Sequence, residues 1–357
     1  MVIFYLIKGG IDMKVRITSI FLAAAIMLSA TGCSLNKNNG NLHTKEPIAT
    51  ESTMDSDLQS DLQGRMISFI EKLENSDIDI DLSNFYQKAR TLKIYTDSTN
   101  EEYYNSYYNK ELNQIFYNID TPGAFEHELV HVILNNGKEL GNIFLEEGFT
   151  ELLASEVCET QSTYRFNVGI SKIFCTILGR DVIYKTMNEK DISVVTNGLA
   201  NIVPAVKDAE EYMSYLNYEH VLEQKMHQAF FKDGNLDNFK KNKEYTELKN
   251  VRKDLVGRIK IYVKNYYKNL VRQEGIDAKQ VLMEMFSLLD IIDMELFDPD
   301  LEGERANDFF LRDEVTYIMQ TYGYSDAEYD ECYANSKNMK YLLKDSSAVI
   351  KNNEIKK

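Results

Sequence analysis

The stretch Thr121 to Gly137, TPGAFEHELVHVILNNG, limits the possible folds of this chain more than any other. Thr121 can cap a helix that Pro122 opens and Gly137 closes, which predicts a single helix of about four turns. Phe125, Leu129, Val130, Val132, Ile133 and Leu134 surround nearly the whole of that helix with apolar groups, so it belongs in a core. His127, Glu128 and His131 interrupt the apolar surface on one flank. At roughly 100° per residue the two histidines lie about 40° apart. Buried imidazoles and a buried carboxylate are costly without partners. A metal ion is the partner this spacing fits best.

Two imidazoles one turn apart can each bring a ring nitrogen to about 2.0–2.1 Å from one Zn²⁺. Glu128, one residue beyond the first ligand, is poorly placed to coordinate but can reach a water bound to the metal, where it acts as general base. Chance is a weak rival: with five histidines in 357 residues, about 0.006 such H-E-x-x-H matches are expected in a chain like this one. A catalytic zinc needs a third protein ligand and keeps its fourth position open. Downstream, IFLEEGFTELLASEV at 143–157 predicts a second helix, capped by Asn142. It carries Glu147 and Glu151 one turn apart, and Gly148 removes a side chain where two helices approach closely. Glu147 is the preferred third ligand, with Glu146, about 100° away around the helix, in reserve. Glu151 can accept the remaining N–H of a metal-bound imidazole and fix its tautomer.

HELVH at 127–131 followed by LEEGFTE at 145–151 resembles the gluzincin group of zinc metallopeptidases. The resemblance implies that His127, His131 and Glu147 bind one Zn²⁺, that Glu128 activates the water, and that Glu151 supports an imidazole. It also implies an α+β, mostly helical fold: a zincin-like metallopeptidase core, made of a small sheet with the HExxH helix and the Glu helix, joined to a helical C-terminal half. The implied activity is hydrolysis of peptide bonds in a peptide or protein substrate. Fifteen residues separate His131 from Glu147, fewer than in the best-known families of the group, so the loop between them must be tight. The group draws a Tyr, His or Arg from later in the chain to steady the oxyanion. Tyr164, Arg165, Tyr212, Tyr215, Tyr218, His220 and His227 are all candidates. The other reading is a catalytically silent, surface-binding lipoprotein with a structural or vestigial metal. Glu128 discriminates, because a purely structural zinc takes four protein ligands and has no use for a carboxylate beside it.

The N-terminal region has its own pattern. Lys14 and Arg16 precede an apolar and small-residue run, Ile17 to Gly32, too short for a typical membrane span, which predicts a cleaved export signal. Leu28-Ser-Ala-Thr-Gly-Cys33 resembles a bacterial lipoprotein processing site, with Ala30 where Leu is usual. The resemblance implies a lipidated Cys33 at the extracytoplasmic face of a bacterial membrane, touched through the anchor alone. MVIFYLIKGGID does not resemble the start of a protein, so Met13 is the expected initiator. On this reading 1–32 is the signal and 33–56, polar and poor in large apolar groups, a disordered tether. The formal net charge is −16, and removing Lys8, Lys14, Arg16 and Asp12 with the leader takes it to −18, which excludes nucleic acid as a partner. With Cys33 used for lipid, Cys158, Cys175 and Cys332 remain, an odd number without framework spacing, so disulfides do not hold the fold.

Apolar spacing predicts an opening helix over 57–73, and alternation predicts strands over 91–96 and 113–117. These, with the two ligand helices, make a core over 57–205. Helices over 171–178, 208–231, 251–273, 279–289 and 307–322 make the C-terminal half mainly helical, and 206–345 is its helical C-terminal region. Gly234 and Asn235 to Glu247 are expected to break it, and 346–357 to form a polar tail.

Overall fold

Leu62, Met66, Phe69, Ile70 and Leu73 recur at helical spacing and are buried on the inward face of α1 (Ser56–Glu74). This helix opens the part of the chain seen in a computed structural model that describes residues 56–96, 106–118, 123–159, 165–204, 206–233, 241–296 and 309–342. The expected signal (1–32), the expected tether (33–56) except Ser56, which begins α1, and Cys33, Tyr164 and the 346–357 tail lie outside the described residues. Among the described residues no helix is long and apolar enough to cross a membrane. The fold is mostly helical with one small sheet, and it divides into two compact units.

The first unit holds the described residues up to Asn75 and those from Asp81 to Asn136. After α1 come α2 (Ser83–Lys88), β1 (Lys93–Thr96), β2 (Tyr107–Asn109), β3 (Gln114–Tyr117) and α3 (Ala124–Leu134). Two of these strands match the alternating runs of the sequence; β2, only three residues long, is an addition. The sheet order is β1-β3-β2, with β1 parallel and β2 antiparallel to the central β3. Asn109 turns the chain between β2 and β3, its Oδ1 accepting from the backbone N–H of Glu111 and of Leu112, each at 3.1 Å. Because strand side chains alternate, β3 buries Ile115 and Tyr117 on one face, while Phe116 stacks on Tyr95 and Tyr107 on the other. The buried face and α1 pack against α3, whose Phe125, Leu129, Val130 and Val132 are fully enclosed. Each such side chain contributes about 1.5–3 kcal/mol by leaving water.

The second unit holds Ser76–Ile80 and the described residues from Gly137 onward. Its helices are α4 (Ile143–Cys158), α5 (Arg165–Leu178), α6 (Arg180–Glu189), α7 (Ser193–Ile202), α8 (Val206–Asp233), α9 (Lys243–Leu270), α10 (Ala278–Asp290), α11 (Arg312–Tyr322) and α12 (Asp326–Ser336), with a π turn, Ile291–Glu295, continuing α10. The helical C-terminal half expected from the sequence is present. Of its expected break, Gly234 to Lys240 lie outside the described residues, whereas Asn242 caps α9 and Lys243 to Glu247 are helical. The main packing pairs are α4 on α5, α8 on α9 and α10 on α12. At the far end of α4, Glu156 accepts from the backbone N–H groups of Tyr341 (2.6 Å) and Leu342 (2.9 Å), which fastens the last described residues to this helix. No disulfide joins Cys158, Cys175 and Cys332.

Candidate metal centre

The helix that carries the histidines is shorter than its flanking residues imply. It runs for 11 residues, three turns, from Ala124 to Leu134. Gly123, not Thr121, is the N-cap, with φ 81°, and its carbonyl accepts from the His127 N–H at 3.1 Å. Thr121 and Pro122 lie outside the described residues. The glycine supplies a left-handed conformation that sets the entry angle, which no capping side chain could replace. At the other end the helix stops before Gly137: Asn135 is already extended, its carbonyl accepting from Lys88 Nζ and its Nδ2 donating to the Tyr108 hydroxyl at 3.1 Å.

Within this helix His127 and Glu128 are each 5% exposed, and His131 is half-buried. The two Nε2 atoms stand 3.1 Å apart, with the ring planes 69° from parallel. Two bonds of about 2.0–2.1 Å meeting at a tetrahedral centre span about 3.4 Å, so the pair already has the separation that shared coordination needs. The roll of the helix is fixed from α1: Arg65 grips Glu126, the residue before His127, with Nε and Nη2 at 2.8 and 2.7 Å. Its Nη1 also donates to the Tyr117 hydroxyl at 3.2 Å, and the guanidinium lies over the Phe125 ring. The Glu126 carboxylate raises the Arg65 pKa further, so this clamp stays charged.

On α4, Asn142 is the N-cap as expected, accepting from the Leu145 N–H at 3.1 Å, while its Nδ2 donates to the Met213 carbonyl on α8 at 2.8 Å. Asn217, one turn further along α8, accepts from the Ile143 N–H at 3.0 Å. The start of this helix is therefore held by two side-chain amides. Gly148 sits where α5 crosses: a Cβ there would lie 2.5 Å from Ser171 Oγ and 2.8 Å from the Asn167 carbonyl. The close approach read from the sequence is present.

His127, His131 and Glu147 together form a group able to hold a metal ion, their ligand atoms lying within 4.8 Å of one another. Two imidazoles and one carboxylate make a donor set that suits a divalent transition metal and leaves room for a further ligand. Glu146, the reserve choice, faces another way: its Oε1 accepts from Lys190 Nζ at 2.7 Å. Glu128 and Glu151 stand outside the ligand group, Glu128 between the histidines in sequence and half-buried Glu151 one turn past Glu147.

The later candidates separate by environment. Tyr212 is wholly buried between the rings of Phe174 and Tyr262, a packing position. Tyr215 lies under the Arg258 guanidinium and Tyr218 donates to Glu247, both at the surface; Arg165 is exposed. His220 is 6% exposed and lies one helical turn beyond Asn217. His227 is within α8. Sequence reading missed Arg65 and Lys190, whose acidic partners lie 61 and 44 residues away, beyond any local pattern. No family model matches the chain, and comparison with curated proteins and with solved structures found no match.

Proposed function

We propose that this protein is a zinc-dependent peptidase of the gluzincin kind, with a zincin-like core, held at the extracytoplasmic face of a bacterial membrane by lipid on Cys33. The observation that carries the reading is the meeting of His127, His131 and Glu147 donor atoms within 4.8 Å, with the buried carboxylate of Glu128 next in sequence to the first of them. His127, His131 and Glu147 would hold the ion. Zinc in such a set supplies Lewis acidity, polarising a carbonyl and making water a better nucleophile near neutral pH.

The chain's own groups supply the rest. Glu128 takes a proton from the attacking water and delivers it to the leaving amine nitrogen, so one carboxylate serves as base and then acid. Its burial keeps bulk water from competing for that proton. Glu151, one turn from Glu147, orients an imidazole through its remaining N–H. The substrate is a peptide or protein, and the formal net charge of −16 opposes binding of nucleic acid.

Replacing Glu128 by Gln tests the reading, with turnover of a mixed peptide library and bound zinc measured on the same sample. The variant should keep its zinc and lose at least about a hundredfold in turnover, the scale of one general acid–base group. Equal cleavage by wild type and variant would refute the peptidase. Zinc without cleavage in the wild type would leave a binding lipoprotein.

A further inference from the structure

The structure assigns Lys190 a role that rests on this metal reading: we propose that it is a positioning residue for Glu147, acting through Glu146. Lys190 follows α6 with φ 56° and ψ 41°, the left-handed conformation that glycine or asparagine adopts most easily at a helix end. A lysine is kept there against the backbone preference. Its side chain is 3% exposed, and its ammonium meets Glu146 at 2.7 Å. A lysine merely closing a helix would place its charge in water.

The target of that reach explains the cost. Glu146 immediately precedes Glu147 on α4, so drawing Glu146 towards Lys190 fixes the roll of the helix and aims Glu147 about 100° away. It also keeps a second carboxylate from competing for the cation. The same arrangement occurs on α3, where Arg65 holds Glu126, the residue before His127. Each ligand-bearing helix thus has an acid just ahead of a ligand, held by a cation from its own unit.

Positioning and field act in opposite directions, which makes the proposal testable. Removing the ammonium alone makes the surroundings more negative and favours a bound cation; loosening the helix disfavours it. The double substitution Lys190→Met with Glu146→Gln removes one charge of each sign and leaves no unpaired buried charge. Its effect on zinc therefore reads positioning.

The experiment measures the zinc dissociation constant by competition with a chromogenic chelator, together with melting of the metal-free chain. Wild type, the double variant, Lys190→Arg and Glu147→Gln are compared. The double variant should bind zinc about tenfold more weakly or worse, as supporting contacts around metal ligands do, with the metal-free melting temperature little changed. Lys190→Arg should restore most of the affinity. Wild-type or tighter affinity in the double variant overturns the role of Lys190. If that variant does not fold, Lys190→Gly with Glu146→Gln, which relieves the left-handed backbone and likewise removes one charge of each sign, replaces it with the same two outcomes. If wild type binds no more tightly than Glu147→Gln, the metal reading fails; if Glu147→Gln alone weakens binding, only the positioning role fails.

Discussion

Gly148→Ala probes the contact that brings α4 against α5 beside Glu147. The added Cβ would lie 2.5 Å from Ser171 Oγ, 2.8 Å from the Asn167 carbonyl oxygen and 3.1 Å from its carbon. The hydroxyl can turn away; the carbonyl belongs to the α5 backbone and cannot. Overpacking of this kind costs about 1–3 kcal/mol, and a backbone obstacle places it in the upper half of that range. Alanine returns about 1 kcal/mol in helix propensity, so the net loss is about 1–2 kcal/mol. For a unit of this size that corresponds to a melting temperature lowered by about 2–8 °C. Gly257→Ala is the control, because in α9 a Cβ there would have nothing within 4 Å. It should stabilise by about 0.5–1 kcal/mol. Urea and thermal unfolding followed by circular dichroism would compare the two. Adding Ser171→Ala to Gly148→Ala should recover only part of the loss. If Gly148→Ala stabilises as Gly257→Ala does, the helices do not pack as described.

Arg65→Lys keeps the charge but cannot reproduce the two-pronged grip on Glu126; with the Arg65 side chain 30% exposed, the expected loss is about 1–2 kcal/mol in urea unfolding, and an unchanged midpoint would contradict it. Burial pushes the Glu219 carboxyl well above its ordinary range, with the Arg252 guanidinium opposing and the neighbouring Glu223 charge adding to the rise. The folded chain therefore holds this proton to a higher pH than the unfolded chain, so this contribution favours folding below about pH 4.3 and declines as pH rises through the raised value. Glu219→Gln should flatten that decline in urea unfolding between about pH 4 and about pH 8; an unaltered slope would count against it.

Much of this was readable because it is local. The apolar circumference of α3, the stripe of α1, the alternation in β1 and β3 and the Asn142 cap each depend on neighbours close in the chain. Other elements gave weaker signals. β2 is only Tyr107–Asn109, too short to show alternation, and it gains its place by pairing with β3. α12 has little apolar stripe, burying only Cys332 and Ser336; its Ser325–Glu328 capping box was present in the sequence as the better clue. The start of α3 at Ala124 turned on Gly123 adopting a positive φ, while Thr121 and Pro122 offered a more familiar cap. The pairings that fix the ligand helices, Arg65 with Glu126 and Lys190 with Glu146, join residues far apart in the chain. No periodicity announces such a pair.

One cation shared by three side chains is the centre of the proposed chemistry, and elemental analysis tests it directly. After loading with zinc and exhaustive dialysis, the wild-type chain should retain about one zinc, and His127→Ala, His131→Ala and Glu147→Ala should each retain almost none while remaining folded. A wild-type chain that emerges without zinc, or three variants that keep a full equivalent, would contradict it.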